Sequence, residues 1–254
     1  MPIYRLDAHS HAFPDPEEAT EFGGLLAIGG DFCVERLVHA YTHGIFPWPI
    51  EEVPRAWWSP DPRFVLYPGM LRVPGSLERV LKKERFTYTI DHSFERIIEQ
   101  CRLKKRPDQE GTWITKELMQ AYCALHRAGF AHSVEAWQEG ALVGGLYGVS
   151  LGRCFYGESM FTLVPDASKC AFVNLVCALK AQGCRLIDCQ VKTEHLARFG
   201  AQEVTRRRFL KDLASALDPA LGVLDWKKMA VSWADGSGYG TAAHVDGCIY
   251  EPEV

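Results

Sequence analysis

Apolar and polar positions recur with different periods along the chain, and the change of period divides it. In the first part Val34, Leu37, Val38 and Tyr41 fall on one helical stripe, with Asp31 placed to cap its start and Gly44 its end. The following "IFPWPIEEVPRAWWSPDPR" (45–63) carries too much Pro for regular structure and is predicted to be a loop presenting three Trp. Residues 1–62 therefore read as a small N-terminal domain packed by aromatics.

From residue 63 strand-like and helix-like segments alternate. "RFVLYP" (63–68) and "FTYTI" (86–90) read as strands, and Phe94, Ile97, Ile98 and Cys101 as a helical stripe. Leu118, Ala121, Tyr122 and Leu125 form another stripe, closed by Gly129. "AHSVEAW" (131–137) and "ALVGGLYGV" (141–149) predict a hairpin turning at 138–140, and "RCFYGESMF" (153–161) a third strand. A helix with Phe172, Leu175, Val176 and Leu179 inward, capped by Asp166 or Ser168, leads directly into "CRLIDCQV" (184–191). Strand, helix and strand at that spacing predict a parallel crossover. Leu210, Leu213 and Leu217 mark a last helix. The fold class predicted is α+β: the N-terminal domain, a larger domain over 63–230 with a mixed sheet flanked by helices, and a Gly-rich tail over 231–254.

Composition narrows the class. With 47% hydrophobic and 24% charged residues the chain has globular proportions, so a folded core is expected throughout the patterned region. A net charge of −4 excludes a generally cationic surface, so contact with nucleic acid has to come from local clusters. Three exist: "LKKER" (81–85) with Lys82, Lys83 and Arg85, "RLKKR" (102–106) with Lys104 and Lys105, and "TRRRFLK" (205–211) with Arg206, Arg207 and Arg208. Each alone reads as a solvated face or loop. The nine Cys include no C-x-x-C pair and no Cys/His ligand spacing, which argues against a disulfide framework and a metal site. A reducing, cytoplasmic setting is expected. No N-terminal apolar region and no span-length apolar run is present, so no membrane association is expected.

Polar residues at strand ends are the candidates for chemistry. "GGLYGV" lacks both phosphate-loop spacings, and "GESMF" lacks the closing Gly of a nucleophile elbow. Glu158 and Ser159 end one strand; Asp188 and Gln190 end the next. On a regular strand Asp188 and Gln190 share a face about 7 Å apart, with Ile187, Cys189 and Val191 turned to the core. A hydrogen-bonded scaffold and a ligand site fit this spacing equally. As chemistry, a carboxylate and an amide suit the positioning of an amine, as in aminolysis of an activated ester, which requires no cofactor.

The motifs occur in a recognisable order. "GLLAIGGD" (24–31), "GIFPW" (44–48), "WWSPDPR" (57–63), "TWI" (112–114), "LVGGLYGV" (142–149), "GESMF" (157–161) and "LIDCQ" (186–190) follow one another. Over roughly residues 12–214 the chain resembles the leucyl/phenylalanyl-tRNA–protein transferase family. The resemblance implies transfer of Leu, Phe or Met from aminoacyl-tRNA to the α-amine of proteins beginning with Arg or Lys. That reaction marks them for degradation by the bacterial N-end rule pathway. It also implies a monomer and a larger domain like that of the acetyltransferase superfamily. The acetyltransferase pyrophosphate loop is missing, which counts against an acyl-CoA N-acyltransferase; a non-catalytic aminoacyl-tRNA binder is the other competing reading. By matching motifs, Trp48, Trp113, Tyr122, Glu158 and Ser159 would bind the aminoacyl-adenosine. Leu146, Phe155 and Leu175 would form the amino-acid side-chain pocket, and Asp188 and Gln190 would stand at the reacting centre. Two roles for that pair stay open. Asp188 polarises Gln190, or, as the reading preferred from sequence, Asp188 holds the acceptor's cationic residue while Gln190 orients the amine.

Overall fold

In a computed structural model, residues 3–7, 9–50, 53, 55–104 and 112–229 are described. The four strands β1 (Tyr4–Leu6), β2 (Leu25–Gly29), β3 (Phe46–Pro47) and β4 (Ala56–Trp58) form one sheet in the order β1-β2-β4-β3. Helix α1 (Val34–Thr42) packs beside it and buries Leu37, Ala40 and Tyr41, its apolar stripe. Asp31 is not the capping residue. The cap is Cys33, and the Asp31 carboxylate accepts from the Cys33 N–H at 3.1 Å and from Arg36 Nε at 3.0 Å. Gly44 takes a positive φ of 73° just beyond the helix, the role its sequence position predicts. The Pro-rich stretch is less irregular than expected, since it contains β3 and β4. Pro47 is tolerated because β3 is a two-residue edge strand.

Seven further strands form the main sheet: β5 (Arg63–Leu66), β6 (Thr87–Ile90), β7 (Ala131–Gln138), β8 (Ala141–Leu151), β9 (Cys154–Thr162), β10 (Leu186–Gln190) and β11 (Gln202–Val204). Their order is β11-β5-β10-β9-β8-β7-β6. Only the β9–β10 pair is parallel, joined by the predicted crossover through α5 (Ala167–Ala181). The β7–β8 hairpin turns at Glu139 and Gly140, both with positive φ, as a two-residue turn requires. Helix α5 is apolar around most of its circumference and is buried from Cys170 to Leu179, as a central helix must be.

The sheet separates two apolar clusters. Helix α5 and α2 (Gly75–Leu81) cover one face together with Leu146 and Phe155. On the other, α3 (Phe94–Leu103), α4 (Lys116–Arg127) and, after the short α6 (Glu194–Ala197), α7 (Arg206–Ala216) join Tyr147, Tyr156 and the small sheet in a single cluster. Gly144 and Gly145 make this three-layer packing possible. A Cβ on Gly144 would meet Ala167 Cβ at 2.8 Å, and one on Gly145 would meet Ile97 Cδ1 at 2.5 Å. The glycines of "GGLYGV" therefore admit helices to both faces of β8. Among the described residues no helix is long and apolar enough to cross a membrane.

The strand "CRLIDCQV" departs from its expected form. Asp188 lies opposite Val65 and Gln190 opposite Phe64, so Cys189 is an extra residue in a bulge. Gln190 has a φ of +62°, and Val191 is exposed instead of entering the core. The alternation rule therefore does not relate Asp188 to Gln190.

Candidate active site

A second bulge stands on the neighbouring strand. On β9, Gly157 faces Gly148 and Ser159 faces Tyr147, which leaves Glu158 as the extra residue. Bulges re-aim side chains, and here Glu158 and Gln190 meet: Gln190 Nε2 donates to Glu158 Oε1 at 2.8 Å. Both residues line a cavity of about 550 Å³.

Three of its walls have distinct chemistry. Leu146, Phe155, Phe172, Ile187 and Leu196 make an apolar recess. Trp48 and Trp113 stand on another side, each half-buried. Trp48 is held by the β3–β4 hairpin, where its N–H donates to Ala56 O at 3.0 Å and its carbonyl accepts from Trp58 Nε1 at 2.8 Å. Trp113 precedes α4, whose first turn is fixed by the Thr115 hydroxyl accepting from the Leu118 N–H at 3.1 Å. Lys104, Lys169 and His195 contribute the polar wall. Burial holds the His195 imidazole pKa below its ordinary value, and the charges of Lys169, Lys104 and Arg198 act in the same direction.

Glu158 is a buried carboxyl held by three partners. Tyr41 OH lies 2.8 Å from Oε1, Tyr122 OH lies 2.7 Å from Oε2, and Gln190 supplies the third contact. Burial raises its pKa to about 7, against the opposing effect of the two tyrosine hydrogen bonds; the nearby Asp188 pushes in the same direction as burial. Tyr41 and Tyr122 are themselves buried beside this carboxyl, which drives both phenols well above their usual range.

Asp188 lies beneath this layer. Arg63 Nε donates to Oδ1 at 2.9 Å and Nη2 to Oδ2 at 2.6 Å, and both side chains are wholly buried. The guanidinium is sandwiched between the Phe46 and Phe209 rings, 4.6 and 4.4 Å from their centroids. Oδ1 of Asp188 also accepts the Gln190 N–H at 2.8 Å. Asp188 thus fixes the backbone of Gln190, and Glu158 fixes its side chain.

The cavity unites Trp48, Trp113, Leu146, Phe155, Glu158, Ser159, Lys104 and Gln190 from the residues singled out by sequence. Three others occupy different places. Asp188 is not on its wall, because its carboxylate is consumed by Arg63. Tyr122 is fully buried behind Glu158, and Leu175 faces the core one turn beyond Phe172, the α5 residue that reaches the cavity. Phe172 shares its helical stripe with Leu175, and the period of the stripe cannot rank the two. Neither Tyr41 nor Arg63 stands out in the sequence: Tyr41 falls on a core stripe, and Arg63 has the pattern of a polar strand start.

The basic clusters also divide. Arg206 is buried, its guanidinium donating to the carbonyls of Ala19 (2.7 Å), Ser59 (2.6 Å) and Glu17 (3.0 Å), so it is a tether and not a surface contact. Lys82, Lys83, Arg85, Lys104, Arg207 and Arg208 are exposed, with Lys82 paired to Glu78 and Arg208 to Asp212. Lys105 and the tail over 231–254 lie outside the described residues. Among the described residues no group of three His, Cys, Asp or Glu could hold a metal ion.

Residues 65–214 match the model of the leucyl/phenylalanyl-tRNA protein transferase family, and residues 30–61 match its N-terminal domain. A leucyl/phenylalanyl-tRNA–protein transferase from Anaeromyxobacter sp. (strain K) is 57% identical over 218 residues, covering 86% of this chain and 93% of the relative. One from Myxococcus xanthus is 56% identical over 218 residues, covering 85% and 93%. One from Syntrophobacter fumaroxidans is 52% identical over 227 residues, covering 89% and 96%. The chain belongs to the leucyl/phenylalanyl-tRNA–protein transferase family.

Proposed function

We propose that this protein transfers Leu, Phe or Met from aminoacyl-tRNA to the α-amine of proteins with N-terminal Arg or Lys, acting as a cytoplasmic monomer and marking its products for degradation. The observation that carries the reading is the fixed amide of Gln190 at the meeting point of an apolar recess and two tryptophans.

With Nε2 committed to Glu158, the Oε1 of Gln190 is left to accept a hydrogen from an incoming amine. An amide is too weak a base to remove a proton. The amine therefore arrives neutral, which its pKa of about 7.7–8.0 allows for a useful fraction at neutral pH. Its nitrogen attacks the ester carbonyl, the ribosyl oxygen leaves, and the proton lost by nitrogen ends on that oxygen. Positioning alone can supply about 7 kcal/mol of such a barrier. Asp188 takes part through Arg63 and the Gln190 N–H. With both its oxygens engaged and closed to solvent, the capture of an acceptor's cationic side chain falls to other groups.

Trp48 and Trp113 supply aromatic faces for the terminal adenosine, each stacking contact being worth roughly 1–3 kcal/mol. Ser159 and Glu158 line the same cavity. Leu146, Phe155 and Phe172 accept an unbranched or γ-branched apolar side chain. Such a recess separates close hydrophobes by only about 1–3 kcal/mol, consistent with several donors. In this reading residues 1–62 are a small domain that lends Trp48, and residues 63–230 carry the transfer site. Lys82, Lys83, Arg85, Lys104, Arg207 and Arg208 are the cations offered to tRNA phosphates.

Labelled Leu-tRNA incubated with a protein bearing N-terminal Arg, with and without ribonuclease, tests the reading. Ribonuclease-sensitive labelling is the expected result. Transfer from acyl-CoA without tRNA, or tRNA binding without transfer, would overturn it.

A further inference from the structure

Three short oxygen contacts close a triangle behind the cavity. Tyr41 OH to Tyr122 OH measures 2.7 Å, Tyr41 OH to Glu158 Oε1 2.8 Å, and Tyr122 OH to Glu158 Oε2 2.7 Å. Each contact needs one hydrogen, and the two phenols own one apiece. If Glu158 were ionised, one of the three would be two oxygens pressed together with no hydrogen between them. We propose that Glu158 sits here as a neutral carboxylic acid whose proton completes a ring of three hydrogen bonds, and that Tyr41 is a positioning residue for Gln190. The positioning role rests on the transfer reading above; the proton count does not.

The geometry also assigns the proton. Oε1 already accepts from Gln190 Nε2, which leaves it as the acceptor for Tyr41. The acidic hydrogen then resides on Oε2 and is donated to Tyr122, Tyr122 donates to Tyr41, and Tyr41 donates to Oε1. Every polar atom of the ring is satisfied, and Gln190 can present only its amino group to Glu158. Flipping the amide would set oxygen against oxygen.

The groups around the ring favour the neutral form. Tyr147 on β8 stands edge-on to Tyr122 with 5.3 Å between centroids, and Asp188 on β10 brings a negative charge. Arg63 on β5, the cation of this neighbourhood, is committed to Asp188 by two hydrogen bonds. No cationic partner of Glu158 occurs among the described residues, and burial opposes its ionisation. Tyr41 itself is held from the other side, its carbonyl accepting from Tyr156 OH at 2.9 Å. It is wholly buried and absent from the cavity wall, so it acts on the reaction through Glu158 and Gln190.

Infrared difference spectra of wild type against Glu158→Gln, recorded between about pH 5.5 and 8.5 to bracket the carboxyl titration, read the proton directly. The expected result is a protonated-carboxyl C=O band on the acid side, lost on the alkaline side, and perturbed in position by Tyr41→Phe. A Glu158 carboxylate already ionised at the acid end would overturn the ring. This readout needs no activity, so it stands or falls apart from the transferase assignment. For the positioning role, Tyr41→Phe should lower kcat roughly tenfold, the loss of one hydrogen bond expressed in the rate, with KM for Leu-tRNA within about twofold. An unchanged kcat in a Tyr41→Phe protein that shows only a lowered Tm would reduce Tyr41 to scaffolding.

Discussion

Arg63 and Asp188 form a bidentate ion pair with both side chains wholly closed to solvent, and the same Asp188 carboxylate anchors the backbone N–H of Gln190. The pair is thus a foundation under the reacting centre. Removing one partner leaves an uncompensated buried charge, which costs about 3–5 kcal/mol. Asp188→Ala should accordingly lower stability by that amount, measured by urea unfolding. Asp188→Asn should slow transfer equally for acceptors beginning with Arg and with a neutral residue. A loss confined to the Arg acceptor would show Asp188 to be a cation receptor after all.

Gln190 is the polar group best placed to meet the amine. Gln190→Glu loses the donor to Glu158 and adds a carboxylate beside it, so kcat/KM should fall about a hundredfold or more, equivalent to about 2.7 kcal/mol. Stability should change little, because Gln190 ends its strand and is partly exposed. Steady-state kinetics with denaturation in parallel would separate the two effects.

Pocket specificity should follow Phe172, not Leu175. Phe172→Ala enlarges the recess and should shift the ratio of Phe to Leu transfer by about tenfold, within the roughly 1–3 kcal/mol that small apolar differences supply. Leu175→Ala, in the core behind it, should cost about 2–5 kcal/mol of stability and leave that ratio unchanged. Competition between charged Leu-tRNA and Phe-tRNA reads both.

Glu158 gives a signed pH dependence. Its folded pKa, raised to about 7 by burial, exceeds the ordinary value of 4.5, so the folded state binds the proton more tightly than the unfolded chain does. The resulting stabilisation is complete below about pH 4.5 and is lost as pH rises through about 7. A gap of roughly two and a half pH units corresponds to about 3 kcal/mol. Relative to wild type, Glu158→Gln should therefore gain about that much between about pH 5 and pH 8 in urea titrations. A constant difference across this range would exclude the shift.

Binding of tRNA should be electrostatic and local. Replacing Lys82, Lys83 and Arg85 by Ala should raise KM for aminoacyl-tRNA and flatten its salt dependence. The log–log slope should fall by about 0.7–0.9 for each phosphate no longer neutralised. Arg206→Ala should instead lower Tm, because its guanidinium ties three main-chain carbonyls together. An unchanged salt slope in the triple variant would remove that surface from the interface.

The long periodic elements are legible in the sequence because one-sided burial imposes their period: the stripes of α1, α3 and α4 and the β7–β8 turn stand where the pattern places them, while α5 is legible as a continuous apolar run. Short strands such as β1 and β11 are not, since three residues carry no period. The site is half legible. Glu158 and Gln190 stand out as polar groups on strands, but Glu158 lies mid-strand and not at the expected end, and their meeting depends on two bulges, which leave no mark in hydropathy. The expected place of Asp188 at the reacting centre fails because its carboxylate is buried against Arg63. Its partner Arg63 lies 125 positions earlier, and only the β5–β10 register brings the two together.

The aromatic sandwich around Arg63 draws on distant parts of the chain, Phe46 from the small sheet and Phe209 from α7. Tyr41 adds a third remote contribution to the same small centre. A chain emerging from its N-terminus can form α1 and the β7–β8 hairpin early, yet it cannot complete the seat of Gln190 until α7 has been made. The seat of Gln190 is therefore a shared product of segments far apart in the chain, and its geometry depends on all of them being docked together.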